Sequence, residues 1–521
     1  MHQRLIILAI LLLVGVPAFA QSVDTAWVRR YNGPDSTIDQ AYAIVVDGSG
    51  NVYVTGHSNG NGTSEDYATL KYYPNGDTAW ARRYNGSGNS WDYAKAIALD
   101  GSGNVCVTGY SQGSGTSNDY VTIKYYPNGD TAWVRRYNGL GNEWDIGETI
   151  ATDDSGYVYV TGISYSGTET GHDYATIKYL PNGDTAWVRR YNGLVNNSDG
   201  ATALVVDNSG NVYVTGYSWG NGTDFDYATV KYFPNGDTAW VRRYNGPGNH
   251  EDWAYAIAVD DWGNVYVTGY STGDGTSKDY ATIKYYSNGD TAWVSRYNSP
   301  SDYPDEAHAI VVDDSGNVYV TGWSYSDGSF HDYLTIKYYP YAETAWVRRY
   351  IGPGDFGDEA HAIVVDDSGN VYVTGESKAN GTDDYATIKY DLSGTELWVM
   401  RYNGPANDWD GAYDIALDGS NNVYVTGYSW DSGTNEDYTT IKYVQFVRGD
   451  VNNDDEVTIS DVVYLIGYLF RSGPDPVPAP IVGDANCDDK VDIIDAVYLV
   501  NYLFKSGPAP GDPDDDGVPD C

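Results

Sequence analysis

The chain has 521 residues, of which 72 are acidic and 30 are Lys or Arg, for a formal charge of −42. A field that negative repels phosphate backbones and anionic bilayers, so nucleic acid is excluded as an expected partner. With 60 Gly, 52 Tyr and 16 Trp against 8 Phe and 2 Met, the composition favours pleated surfaces and tight turns over helices.

The first residues carry Arg4, an apolar run from Leu5 to Val16, and Ala18-Phe19-Ala20 before Gln21. This is the pattern of a secretory signal peptide over residues 1–20, shorter than a comfortable membrane span. The mature chain is expected to begin near Gln21 and to be secreted or extracellular. No later stretch reaches about 18 continuous apolar residues, so no transmembrane segment is expected.

The decapeptide DTAWVRRYNG, first seen at Asp24 to Gly33, then recurs. Its tryptophan returns at Trp27, Trp80, Trp133, Trp187, Trp240, Trp293, Trp346 and Trp398, with spacings of 53, 53, 54, 53, 53, 53 and 52. So regular a period means one supersecondary unit copied eight times. In the first full unit the β-forming runs are Ala41 to Asp47, Asn51 to Gly56, Asp66 to Tyr73 and Asp77 to Gly86, bounded by the turn sequences GSGN and PNGD. Four short strands per repeat predict the blade of a β-propeller, with a β-solenoid as the alternative. The array enters on a DTAWVRRY strand and leaves on a DYTTIKY strand, Asp437 to Tyr443. An outermost N-terminal strand would therefore complete the last blade and close the ring. The NVYVTG and DYxTIKY runs resemble the beta-propeller repeat family SBBP, and the D-x-x-G-N-V-Y-V core is similar to NHL repeats. That resemblance covers about residues 24–443 and implies a propeller. The family label implies seven blades, whereas eight copies stand here.

Charged columns recur in nearly every unit, and a residue needed once for catalysis does not need eight copies. Asp47 and its equivalents are expected to bond turn N–H groups. The Asp66 and Arg30 columns are expected to form ion pairs or strand-end hydrogen bonds, and the Lys71 column is likewise structural. His308 and His361 share one column, EAHAI, which points to packing. No nucleophile elbow, HExxH or CxxC is present.

Positions that break the repeat are the better candidates for a site. Trp91, Trp144, Trp253 and Trp409 are read as lying in the loop before the first strand of a unit, and Trp219, Trp323 and Trp430 in the loop after the second. In a four-stranded meander those connections share one face. The seven rings form a candidate ligand face, since indole stacks on sugar rings and other apolar surfaces; the alternative is that they pack their own loops.

After Val444 to Arg448 the period ends, and residues 449–521 hold 16 acidic and 3 basic residues. Two segments 34 residues apart each place oxygen donors at positions 1, 3, 5, 7, 9 and 12 of a loop that leads into an apolar helix. The first set is Asp450, Asn452, Asp454, the carbonyl of Glu456, Thr458 and Asp461. The second is Asp484, Asn486, Asp488, the carbonyl of Lys490, Asp492 and Asp495. Hard oxygens at that spacing predict two Ca²⁺ ions. Position 6 holds Asp455 and Asp489, and position 12 holds Asp where an EF-hand has Glu. The doubled loop–helix resembles the type I dockerin family, which implies docking onto a cohesin-type or other cell-surface scaffold protein. Where that family places Ser-Thr, this chain has Ile459-Ser460 and Ile493-Ile494. The last ten residues, Asp512 to Cys521, resemble a thrombospondin type 3 calcium motif. Of the three cysteines, Cys106 replaces a repeat tyrosine as a small buried residue, and Cys487 and Cys521 are candidates for a disulfide.

The expected organisation is a signal peptide over 1–20, an eight-bladed all-β propeller over 21–448, a small helical dockerin-like domain over 449–506 and an acidic end over 507–521. Two functions fit. One is a secreted, non-catalytic binding or scaffold protein whose propeller displays a ligand face, with polysaccharide as a candidate ligand. The other is a dockerin-bearing enzyme of polysaccharide catabolism, a glycoside hydrolase or lyase acting on that face.

Overall fold

Each repeat folds as an antiparallel meander of four strands. In a computed structural model of the chain the described residues are 21–167, 171–325, 330–354, 356–379, 381–452, 457–471, 473–488, 490–505 and 508–511. Residues 1–20, where a signal peptide is expected, and the last ten residues lie outside them. The chain divides into two compact units, one spanning Thr25–Tyr443 and the other holding the described residues before Thr25 together with those from Val444 onward.

The larger unit is an eight-bladed β-propeller, as the repeat predicts. The first complete blade comprises Asp39–Val46, Val52–Asn59, Glu65–Tyr72 and Thr78–Tyr84, hydrogen-bonded in that order. First strands of neighbouring blades touch one another all the way round, including Asp39–Val46 against Asp410–Leu417, so they line the ring axis. The eighth sheet runs Gln21–Tyr31, Asn435–Val447, Val423–Asp431, Asp410–Leu417. The N-terminal strand therefore supplies the outer edge of the last blade.

The repeated residues do structural work. Asp47 Oδ1 accepts the N–H groups of Ser49 and Asn51, both at 2.9 Å, and Oδ2 accepts the Tyr53 hydroxyl at 3.0 Å. Gly50 takes φ +75° in that turn, a conformation that a side chain disfavours. The Asp66 and Arg30 columns do pair: Arg83 reaches Asp66 at 2.9 Å, and Arg296 reaches Asp279 at 2.7 Å. Lys71 lies with Nζ 4.8 Å from the Tyr53 ring centroid.

The tryptophan column joins blades. Trp80 Nε1 donates to Pro127 O at 3.1 Å in the next blade, and its ring lies between Tyr53 and Tyr125, each 6.1 Å away. Burying such an indole is worth roughly 3–5 kcal/mol by the cost of Trp→Ala truncation. Tyr67, fully buried, donates its hydroxyl to Val121 O at 3.0 Å, and Tyr438 does the same to Ala68 O at 3.1 Å across the closure. Cys106 is buried and free, as its apolar reading requires.

In the smaller unit two helices, α1 (Ile459–Arg471) and α2 (Ile493–Lys505), pack around Val451, Val462, Leu465, Val482, Ala496 and Leu499. Arg448 Nη1 bonds the carbonyls of Ile481 and Asp484 at 3.1 and 3.2 Å. Cys487 is disulfide-bonded, whereas Cys521 lies outside the described residues.

Candidate functional site

Every first strand carries a one-residue bulge at the same place. In blade one Ala41 pairs with Gly56 and Ala43 with Thr55, which leaves Tyr42 without a ladder partner. The equivalents are Lys95, Glu148, Thr202, Tyr255, His308, His361 and Tyr413. A bulge re-aims its extra side chain, and here it permits a close approach: a Cβ on Gly56 would collide with Gln40 O. Glycine of NVYVTG is thus required by the neighbouring bulge.

The bulged residues form a belt. Tyr42 stacks on Tyr413 at 5.5 Å, Lys95 Nζ pairs with Glu148 Oε2 at 2.6 Å, and Tyr255 meets His308 edge-on at 5.5 Å. His308 stacks on His361 at 5.9 Å with planes 5° apart, and His361 meets Tyr413 at 5.8 Å. The shared EAHAI column packs, as its sequence suggested, and it does so at the edge of a cavity. Both histidines line a cavity of 480 Å³, with Glu148, Thr202, Tyr217, Trp253 and Tyr255. The signal was in the sequence: one column changes from Tyr to Lys, Glu, Thr and His while its flanks are Ala, Gly or Thr in every copy but the last, where Asp414 follows Tyr413.

The seven candidate tryptophans divide. Trp91, Trp144 and Trp409 stand just before a first strand and are 56%, 55% and 51% exposed. Trp253 is not on a loop; it is the second residue of the strand Asp252–Val259. That register turns it inward, face to face with Tyr217 at 3.9 Å and 8°, with Phe225 edge-on at 5.7 Å. Trp219 meets Phe225 edge-on at 4.8 Å. Trp323 lies on its second strand, 5.2 Å from His331 and 6.5 Å from His308. Trp430, also on a strand, is half-buried. Trp253, Trp219 and Trp323 thus join the aromatic mouth, while the three exposed rings make no ring contact among the described residues. An eighth non-repeating tryptophan, Trp262, falls in a turn at the other end and is 65% exposed.

Blade seven, whose first two strands are Asp358–Val365 and Val371–Ala379, gathers titratable groups beside the cavity, with His331 of the preceding blade next to them. Glu359 and Glu376 are directly paired across two strands. His331 Nε2 lies 2.9 Å from Glu359 Oε1, and His361 Nε2 lies 4.0 Å from Glu376 Oε1. Lys378 pairs with Asp383 at 3.8 Å. Burial, with the charges of Asp383 and Glu359, pushes the Glu376 carboxyl up to about 7. For Glu359 burial works upward too, but the hydrogen bond and charge of His331 outweigh it and its pKa is lowered. Burial, with His308 alongside, drives His361 down to about 4.

The tail's loops present converging oxygens. Asp450, Asp461, Asp484 and Asp495 are all buried. Asp461 accepts Thr458 N–H at 2.8 Å and Asn452 N–H at 3.3 Å, so backbone donors aim it into the first loop. Asp495 accepts Ala485 N–H at 2.9 Å and Asp492 N–H at 2.8 Å in the second. There the Asn486 side-chain amide lies 3.1 Å from Asp484 Oδ1 and 3.0 Å from Asp495 Oδ1, where its N–H group can donate to both carboxylates. Asn452 Oδ1 is buried without a hydrogen bond among the described residues. Asp454 and Glu456 lie outside the described residues, as do Asp455 and Asp489; Asp488, Lys490 and Asp492 lie within them.

Comparison with known proteins places both parts. A profile described as "Beta-propeller repeat" (SBBP) matches residues 26–62, 187–223, 239–275, 300–329 and 345–381, and one described as "Dockerin type I domain" matches residues 448–504. A curated relative, the "Uncharacterized WD repeat-containing protein L264" of Acanthamoeba polyphaga mimivirus, is 25% identical over 274 residues, which are 46% of this chain and 17% of that protein. The match thus spans under a fifth of the relative's length. Among solved structures, Sqt1 of Chaetomium thermophilum superposes with TM-score 0.50 at 11% identity, over 82% of this chain and 99% of that one. The polysaccharide lyase Uly1 superposes with TM-score 0.41 at 11% identity, over 81% and 98%. At such identities the likeness concerns the fold alone.

Proposed function

We propose that this chain, which carries SBBP beta-propeller repeats and a Dockerin type I domain, is a secreted binding protein whose propeller mouth holds a polysaccharide and whose tail docks it to a scaffold. We take residues 21–448 as the propeller, 449–506 as the docking module and 507–521 as an acidic end, with 1–20 removed on export. The carrying observation is the aromatic mouth: Trp253 stacked on Tyr217 at the wall of a 480 Å³ cavity, flanked by Tyr255 and His308. Stacked rings beside hydrogen-bonding groups suit a sugar, which has apolar faces and hydroxyl edges. Trp91, Trp144 and Trp409 extend that surface along the same face.

Type I dockerins bind calcium, and the buried, neighbouring carboxylates of Asp484 and Asp495 in the second loop fit that ion. We assign one Ca²⁺ to each loop, held by the twelve residues of the two donor sets. Domains of this type are extracellular, and among the described residues no helix is long and apolar enough to cross a membrane. Their expected partner is a cohesin-type domain. The helix starts bear exposed Ile459 (52%), Ile493 (47%) and Ile494 (52%), so the contact would be apolar here.

Affinity electrophoresis of the full mature chain against a polysaccharide panel tests the binding reading. Retention by one polymer class, lost in Trp253→Ala, is the expected result; no retention, or retention untouched by Trp253→Ala and by the triple change of Trp91, Trp144 and Trp409 to Ala, would sink it. A second reading, cleavage at the mouth, is favoured by Glu376, an acid whose pKa is pushed up to about 7 beside His361. Release of reducing or unsaturated ends in the same panel would select it.

A further inference from the structure

Blade seven differs from its siblings at one cross-strand pair. The positions of Glu359 and Glu376 hold Gln40 and His57, Tyr93 and Tyr110, Ile146 and Ile163, Gly200 and Tyr217, Trp253 and Tyr270, Glu306 and Trp323, and Gly411 and Tyr428 elsewhere. Only blade seven sets two carboxylates directly opposite, an arrangement that is destabilising by itself.

The surrounding charges do not cancel it. Three carboxylates meet there, Glu359, Glu376 and Asp383. His331 is engaged by Glu359 at 2.9 Å and Lys378 by Asp383 at 3.8 Å; both cations act on Glu376 too, but burial and the neighbouring carboxylates outweigh them, and its one ion pair among the described residues is with the His361 ring, 4.0 Å away. His361 Nε2 itself is buried and makes no hydrogen bond among the described residues. One atom each of Glu359, His361 and Glu376 lies within 4.8 Å of the others.

We propose that Glu359, His361 and Glu376 form a site for one divalent transition-metal ion of the zinc class in the wall of the propeller mouth. A cation there supplies the charge that the paired glutamates lack and the acceptor's complement that His361 Nε2 lacks. Two carboxylate oxygens and one imidazole nitrogen suit Zn²⁺ and its first-row neighbours, whereas an oxygen-only set suits Ca²⁺. Ligands on such an ion stand roughly 3.4 Å apart at bond lengths of about 2.1 Å, so the three side chains need to draw in by an ångström or so. His361 also lines the 480 Å³ cavity, so the cluster adjoins the mouth through that ring. The site is independent of the glycan reading; it adds a metal to the same mouth.

The test is calorimetric titration of the full mature chain with Zn²⁺ in excess Ca²⁺, which saturates the tail. One ion bound per chain is expected, with affinity reduced at least about tenfold in Glu376→Gln and in His361→Gln. His308→Gln, which changes a neighbouring ring but no ligand, should bind as the unaltered chain does. No zinc uptake, or uptake that survives both ligand substitutions, overturns the assignment. The visible spectrum of Co²⁺ bound to the unaltered chain needs no variant to fold: an intense band from a nitrogen-containing site of low coordination supports it, and a weak spectrum like that of the hydrated ion overturns it.

Discussion

Arg30 Nη2 meets Asp437 Oδ2 at 3.3 Å across 407 residues of chain, doing at the closure what Arg83 does for Asp66 across 17. Arg30 also donates to Ser429 O at 2.9 Å. The first strand of the chain and the last of the array are therefore one blade, held by the same residues as every other blade.

Breaking that pair should cost about 1–3 kcal/mol, because Asp437 is buried and would lose its charged donor. Arg30→Ala is expected to lower the denaturant midpoint without changing the slope. Deleting residues 21–31 should do far more and expose the amides of the strand Asn435–Val447, which hydrogen–deuterium exchange would report as lost protection. Retained protection there would mean that the closure contributes little.

Replacing the glycine opposite a bulge should be severe. A Cβ on Gly109 would run into Tyr93 O, a backbone atom that cannot swing away. Gly109→Ala is expected to cost on the order of 2–4 kcal/mol, against about 0.5 kcal/mol for the open turn position Gly48→Ala, measured by chemical unfolding.

Acid should strengthen one column of the propeller. Asp92 is fully buried and accepts Gly86 N–H at 2.6 Å; burial pushes its carboxyl up to about 6, against the pull of the Ser111 and Gly86 hydrogen bonds. A raised carboxyl holds its proton more tightly folded than unfolded, so its contribution is complete below pH 4 and declines as pH rises towards 6. The difference in stability between the unaltered chain and Asp92→Asn should therefore be larger at pH 4.5 than at pH 7, by roughly 1–2 kcal/mol. Equal differences at the two pH values would refute it.

Calcium removal should melt the tail and spare the propeller. Four buried aspartates, Asp450, Asp461, Asp484 and Asp495, repel one another without an ion. Chelator is expected to abolish the helical circular dichroism of α1 and α2 and to leave the β signal and its melting step in place. Asp495→Ala should reproduce half of that loss at saturating calcium.

What could be read without coordinates was whatever is local or repeated. The period of the tryptophans, the turn residues of Asp47 and Gly50, the unmatched strands at the two ends of the array and the doubled loop–helix of the tail each depend on neighbours in sequence, and they yielded blade number, closure and the dockerin-type tail. The belt did not come through in the same way. His308, His361 and Tyr413 lie some fifty residues apart, and they meet because ring closure brings one first strand from every blade to the axis. Trp91 and Trp253 look alike in the sequence, yet a two-residue difference around Asp92 and Asp252 exposes one and stacks the other on Tyr217. Glu359 and Glu376 face each other only because the bulge at His361 sets that register. Local chemistry determined the scaffold; convergence of distant residues, which only tertiary packing decides, made the site.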